Sequence, residues 1–498
     1  MKLTIKGNIN KYYVQSLCML FFPGAKFSEA EEVSENVPCA DLEVTETGEG
    51  VFTRFSLGVG NETVTSENFI EYQEGFTKDR ILKISVGRSV FDAGEKLMGV
   101  TPPWGILTGV RPAKVASEYL REGLGIQKTK KLLRSEYFLN PKKASLVTDV
   151  ASNEAKIVKK LPENTCSVYI SVPFCPSRCA YCSFVSYTTK RLLSLVPDYV
   201  DAVIKEADDV FSEIKSLGLK ISTVYIGGGT PTILDAPLLE KLLSAVSRNV
   251  DVNELMEFTL EAGRPDTITA EKLQIAKSHG VSRISVNPQT LNDEVLQFIG
   301  RHHTVDCFFK AYDLALASGI RNINTDLIAG LPGDNFIRFS RSVDKIIEMH
   351  PDNITVHTFC VKKASDLLKS ETDYFSASGG DTGKSIDYSQ VKAKNAKYKP
   401  YYLYRNKNSL GNYENVGFAV EGSECLYNIF MMEEVHSIFG IGAGAVTKLV
   451  PGAGISGEKI IRIFNPKYPY EYLDSSIEER FAERRSRTES FFSSKKGD

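Results

Sequence analysis

Six short β-type runs recur between residues 165 and 365, with helical stretches between them, and this rhythm leaves few architectures open. The runs are "SVYISVPF", "STVYIGGG", "EFTLEAG", "RISVNPQ", "NINTDLIAG" and "NITVHTFCV". Amphipathic segments such as "PDYVDAVIKEADDVFSEIKSLG" (197–218) and "APLLEKLLSAVSRNV" (236–250) separate them. Strands alternating with helices of this length are the pattern of parallel βα units. Six units fall short of a closed eight-stranded barrel, so the spacing predicts an α/β fold built on an open, partial (βα)6 barrel.

The flanks have a different character, and the length of 498 residues suits about three domains. Residues 1–155 form an N-terminal α+β accessory unit in this reading. There "DLEVTETGEGVFTRFSLGV" (41–59) reads as two strands around a Thr-Gly-Glu-Gly turn, with helical patterns from Phe91 onward. Residues 165–370 are the barrel, and 371–498 a C-terminal α+β domain on the substrate side. The polar run 370–397 reads as a loop, lid or linker, and the charged tail "EERFAERRSRTESFFSSKKGD" as a frayed end. The single tryptophan, Trp104, reads as core packing in a loop, with Arg111 beside it suited to a carboxylate.

Composition closes off several function classes. The formal net charge of −2 provides no basic field for nucleic acid. No run of eighteen apolar residues exists, so no membrane span is expected. "KYYVQSLCMLFFPGA" (11–25) imitates a signal sequence, but the strand-like "MKLTIKG" before it favours a buried helix. Nine cysteines, an odd number, form no disulfide framework and suit a reducing cytoplasm.

In a βα barrel, functional side chains gather where strands give way to loops. Here the first strand ends in "CPSRCAYC", the second in "GGGTPT", the third at Glu261 and the fourth at Gln289, while the fifth carries Asp326. The thiols of Cys175, Cys179 and Cys182 suit an iron–sulfur cluster or zinc. A closed zinc site needs four ligands, with Cys166 the nearest extra candidate, whereas three thiolates on a cubane leave one iron free for a small chelating molecule. The glycine run permits close approach to backbone, and Glu261 and Asp326 are acceptors for an ammonium or for ribose hydroxyls. Gln289 and Arg301 add polar contacts.

Together, "YISVPFCPSRCAYCSF", "YIGGGTPT", "LEAGRPDT", "RISVNPQTLNDEVLQFIGRHHT" and "DLIAGLPGD" resemble the radical S-adenosylmethionine (radical SAM) enzymes. More narrowly they resemble the oxygen-independent coproporphyrinogen III oxidase family. The N-terminal "WGILTGVRP" is similar to its longer, HemZ-type branch. The resemblance implies a 4Fe–4S cluster on Cys175, Cys179 and Cys182, with S-adenosylmethionine at the open iron. It implies further that Gly228, Gly229 and Thr230 line the methionine end with Glu261 nearby, and that Tyr169, Tyr181, Gln289, Arg301 and Asp326 complete the cofactor site. A deoxyadenosyl radical would then convert propionates of coproporphyrinogen III to vinyls, giving protoporphyrinogen IX. Flavodoxin or ferredoxin would supply electrons. A substrate with several carboxylates needs cationic anchors, for which Lys362 and Arg405 are the expected residues.

The chain departs from the family at three places. Ser171 stands where much of the family has histidine, and Ser183 and Phe184 where its best-characterised branch has a further cysteine. Relatives that act as haem chaperones carry a His-Asn pair where this chain reads Cys425-Leu426-Tyr427-Asn428. That difference argues against a haem chaperone, an alternative in which Cys425 or His436 would ligate iron; a third reading directs the radical chemistry at haem itself.

Overall fold

The structure is a computed structural model describing residues 1–28, 37–182, 186–360, 380–406, 409–451, 459–474 and 476–494. Its N-terminal sheet has the order β1 (Lys2–Lys6), β2 (Cys39–Glu46), β3 (Gly50–Val59) and β4 (Glu62–Glu71). The last three form an antiparallel meander, and alternation along β2 sends Ala40, Leu42 and Val44 inward. The helix over this sheet begins at Lys78 rather than near Phe91, because Ser85, Gly87 and Ser89 dilute its apolar stripe. Those small residues let Thr53 reach Ser89 Oγ at 2.6 Å. The segment at 11–18 is a helix that buries Val14, Leu17 and Cys18.

The barrel strands are β5 (Thr165–Val172), β6 (Lys220–Gly228), β7 (Glu257–Glu261), β8 (Arg283–Ser285), β9 (Asn322–Ala329) and β10 (Asn353–Thr358). They lie side by side in chain order and are all parallel. Helices cover them, and β5 is buried along nearly its whole length, as strands of covered parallel sheets are. All six therefore end on the same side, where the following loops meet. The chain then extends both edges of the sheet. Strand β11 (Lys399–Arg405) pairs with β12 (Glu414–Ala419), which runs antiparallel to β10. Strand β13 (Ser437–Ile441) lies parallel to β5 and leads to β14 (Val446–Leu449) and β15 (Ile461–Phe464).

Two expectations fail here. Within the polar run, 370–379 lies outside the described residues, and residues 380–395 form a helix that buries Thr382, Gly383, Ser385 and Ser389 beside Ile386 and Ala393. Ser389 satisfies its own hydroxyl on Ile386 O at 2.8 Å, so a polar sequence can still be packed. Up to Ser494 the tail is also ordered, as helix Ile477–Ser494. Arg484 anchors it among Glu206, Asp209 and Glu213 of helix Val196–Ser216, at 2.8 Å from Glu213. Buried, paired charges hold what a hydropathy pattern misses.

One buried ion pair ties the N-terminal unit to the sheet. Lys143, on helix Pro141–Val158, places Nζ 2.5 Å from Glu414 Oε1 on β12, and both side chains are almost fully buried. Trp104 Nε1 and Gln390 Nε2 donate to the same carboxylate at 2.8 and 2.6 Å. Trp104 is thus core, as the sequence suggests. Arg111 does bind a carboxylate, that of Glu434 at 2.7 Å.

Candidate active site

Beyond β5 the chain turns through Phe174 and presents Cys175, Cys179 and Cys182 to a cavity of about 600 Å³. Cys175 and Cys179 are buried, and burial pushes the Cys175 thiol up to about 11. A metal that binds here must displace the proton. The loop is pinned on both sides. Ala180 N donates to Ile299 O at 2.9 Å, and Thr230 Oγ1 lies 3.2 Å from Cys175 Sγ.

The glycine turn after β6 is required by this packing. Gly228 has φ of +114°, and a Cβ on Gly229 would stand 2.5 Å from Phe174 O. The glycines bring β6 against the cysteine loop, so the space a side chain would need is taken by backbone. Gly228 N also donates to Glu261 Oε2 at 3.3 Å. Tyr225 donates to the other oxygen of Glu261. Burial raises the Glu261 carboxyl to about 7, against those two donors.

On the next strands, Gln289 has φ of +69°. Its backbone N donates to Asp326 O at 2.9 Å and its carbonyl accepts from Ile328 N at 2.8 Å, which hold this uncommon conformation. Asp326 accepts from Asn287 and Asn324 at 2.7 Å each, and His357 Nε2 lies 3.6 Å away. Burial works against its ionisation, but His357 and the neighbouring donors hold it below the usual carboxylate range. Arg301 bonds Tyr181 Oη at 3.0 Å and the carbonyls of Gly263 and Asn287 at 2.7 Å each.

The cavity thus collects Tyr169, Cys175, Cys179, Tyr181, Cys182, Gly228, Gly229, Thr230, Glu261, Gln289, Arg301 and Asp326, every cluster and cofactor residue named from the sequence. Cys166 is excluded from that group. It lies near the start of β5, away from the loop past its end, so it is no fourth ligand. Arg405 is also no substrate anchor. It is buried against the N-terminal unit, where it bonds Leu107 O and Asn412 O and its guanidinium lies 5.2 Å from the Trp104 ring centroid. Lys362 lies outside the described residues. His436 is closed to haem iron, because its two ring nitrogens meet the hydroxyls of Thr165 and Ser167 at 3.1 and 2.7 Å. Cys425 does line the cavity, with its thiol directed at Glu257 Oε1.

Sequence reasoning missed several wall residues. Tyr225 pairs in register with Tyr169, and Tyr427 stacks on Tyr225 with centroids 4.5 Å apart. Strand register would have exposed Tyr225, while Tyr427, on the helix after β12, lies in the segment compared with the haem chaperones but was given no role. His357 sits two residues past Thr355, the register partner of Asp326, and on the same face of β10. Arg264 lay inside a quoted motif without a role.

The Radical SAM superfamily model matches residues 169–346. Across 75% of this chain and 75% of its relative, the sequence is 38% identical to the oxygen-independent coproporphyrinogen-III oxidase-like protein HemZ of Bacillus subtilis. It is 31% identical to the heme chaperone HemW of Lactococcus lactis, over 56% of this chain and 68% of that protein. The structure of coproporphyrinogen III oxidase (HemN) from Escherichia coli shares the fold, with a TM-score of 0.51 and 20% identity over 65% of this chain and 72% of that one. The chain belongs to the radical SAM superfamily, in the oxygen-independent coproporphyrinogen III oxidase-like family. Its cofactors are a 4Fe–4S cluster and S-adenosylmethionine.

The residues present fit these groups. The thiols of Cys175, Cys179 and Cys182 line one cavity, and thiolates are the ordinary ligands of iron–sulfur clusters. On the adjoining wall, Thr259 Oγ1, Ser285 Oγ, Asn287 Oδ1 and Gln289 Oε1 are buried without a hydrogen-bond partner among the described residues. Unpartnered buried polar atoms are costly, and a ligand rich in hydroxyl and amino groups would satisfy them.

Proposed function

We propose that this chain is an oxygen-independent coproporphyrinogen III dehydrogenase that converts two propionates to vinyls, giving protoporphyrinogen IX. One observation carries the reading: the cysteine loop, the carboxylates of Glu261 and Asp326, and the stacked rings of Tyr169, Tyr225 and Tyr427 line a single cavity. When bound on Cys175, Cys179 and Cys182, the cluster with S-adenosylmethionine supplies a radical that abstracts hydrogen.

The protein's own residues position and shield. Glu261, Gln289 and Asp326 offer acceptors to amino and ribose groups, while Gly228, Gly229 and Thr230 border the methionine end. Arg301 and Tyr181 brace the cysteine loop against that end. The tyrosine faces give a pyrrole ring an apolar, flat contact. Each propionate loses one hydrogen atom, then carbon dioxide and one electron, which a one-electron acceptor must take. The reducing electron for the cluster comes from a small donor protein such as flavodoxin or ferredoxin. Lys362 remains the proposed carboxylate anchor, because the arginines of the described cavity wall are engaged by protein partners.

The HemW relative favours a second reading, a haem-binding chaperone. The engaged nitrogens of His436 and the Cys425–Glu257 bond count against it. Anaerobic incubation with reductant, S-adenosylmethionine and coproporphyrinogen III decides. Decarboxylated product, seen by mass together with 5′-deoxyadenosine, is the expected result. Tight haem binding with intact cofactor would support the chaperone, and adenosyl or methyl transfer onto haem would support chemistry on haem.

A further inference from the structure

Arg264 follows β7 and is 3% exposed, yet it lines the cavity beside the cysteine loop. Its Nε and Nη2 each lie 3.0 Å from one oxygen of Asp266, so one edge of its fork is filled. Nη1 faces the other way, 3.1 Å from Ser177 Oγ and 3.7 Å from Cys179 Sγ. An arginine so occupied has no free edge for a bidentate grip on a substrate carboxylate. Its remaining N–H groups meet the loop that carries the thiols.

We propose that Arg264 tunes the iron–sulfur centre: it donates a charge-assisted hydrogen bond to the sulfur of Cys179 and makes the cluster easier to reduce. The proposal rests on Cys179 being a cluster ligand. Reduction adds negative charge, part of which spreads onto the ligand sulfurs, so a donor aimed at sulfur stabilises the reduced form more than the oxidised one. Asp266 offsets the guanidinium charge at a distance, but Nη1 is the nearer pole and its effect on sulfur survives. Thr230 provides a neutral counterpart at Cys175, 3.2 Å away. The two donors come from the ends of neighbouring strands, so the barrel itself fixes the polar surroundings of the loop. The Asp266 pairing has a second effect. It locks the guanidinium plane, so the bond to sulfur needs no side-chain ordering when the cluster assembles.

The test uses the full chain, anaerobically reconstituted and free of S-adenosylmethionine. Arg264→Met and Arg264→Lys are expected to keep a full complement of cluster iron. Their midpoint potentials, from redox titration followed by electron paramagnetic resonance, should shift to more negative values, further for Met than for Lys. A fully loaded Arg264→Met with the wild-type potential would overturn the proposal. The wild-type protein gives an independent reading that needs no variant to fold. Pulsed resonance of its reduced cluster should show a nitrogen coupling that changes when arginine is labelled with nitrogen-15, and no such coupling would equally overturn it. A wild-type chain that holds no cluster would instead sink the ligand assignment itself.

Discussion

Thr230 Oγ1 lies 3.2 Å from Cys175 Sγ, so the residue that closes the glycine turn of β6 touches the first thiol beyond β5. Two sequence motifs 55 residues apart therefore act as one wall. Neighbouring parallel strands end at the same level, and each contributes what its own loop carries.

Removing one thiol tests that wall. Cys179→Ala should lose the brown cluster absorbance and all cleavage of S-adenosylmethionine, while the apoprotein's unfolding midpoint changes little. Iron content equal to wild type would remove Cys179 from the ligand set.

Glu261 makes cofactor binding depend on pH. Its folded-state carboxyl titrates near 7, above the ordinary glutamate value, so it carries a proton below that pH and a charge above it. An amino N–H prefers the charged form. Affinity for S-adenosylmethionine should therefore be greatest above 7 and fall, by roughly tenfold per pH unit, as pH drops below it. Glu261→Gln should weaken binding at high pH and abolish the dependence. Equilibrium dialysis of the reconstituted chain across this range measures both.

Arg405 separates a structural cation from a substrate anchor. Its guanidinium is spent on Leu107 O and Asn412 O, and burial lowers its pKa to about 10. Arg405→Met should cost about 3 kcal/mol of stability by leaving buried carbonyls unpaired. Tetrapyrrole affinity of the folded fraction should be unchanged. Denaturant unfolding alongside a binding titration tests the two halves separately.

The Lys143–Glu414 pair is a stronger test of how the N-terminal unit is joined. Lys143→Met leaves a buried carboxylate without its cation and should cost about 3–5 kcal/mol. The double variant Lys143→Met, Glu414→Leu should recover part of that loss, as a double-mutant cycle of unfolding free energies would show.

Much of this was legible from the residues. Short β-type runs separated by amphipathic helices located all six barrel strands, and unusual residues at strand ends located one mouth. The misses share a physical cause. Helix 380–395 buries Ile386 and Ala393 among small polar residues, and the tail helix is held by Arg484 among three carboxylates, so neither shows a clear apolar stripe. Arg405 looked free because the partner that buries it, Leu107 O, lies about 300 positions away in the N-terminal unit. Tyr427 enters the wall from a helix beyond β12, and its stacking on Tyr225 depends on the fold rather than on sequence spacing. Cys166 was near in number only, since an extended strand carries nine residues far from their start.

The central claim is that three thiols hold an iron cubane with one corner open to S-adenosylmethionine. Mössbauer and electron paramagnetic resonance spectra of the anaerobically reconstituted chain, recorded with and without that cofactor, test it most directly. The account predicts a 4Fe–4S cluster whose spectrum changes on adding the cofactor, with one iron becoming distinct from the other three. A single-metal site, or a cluster whose spectrum ignores the cofactor, would contradict it.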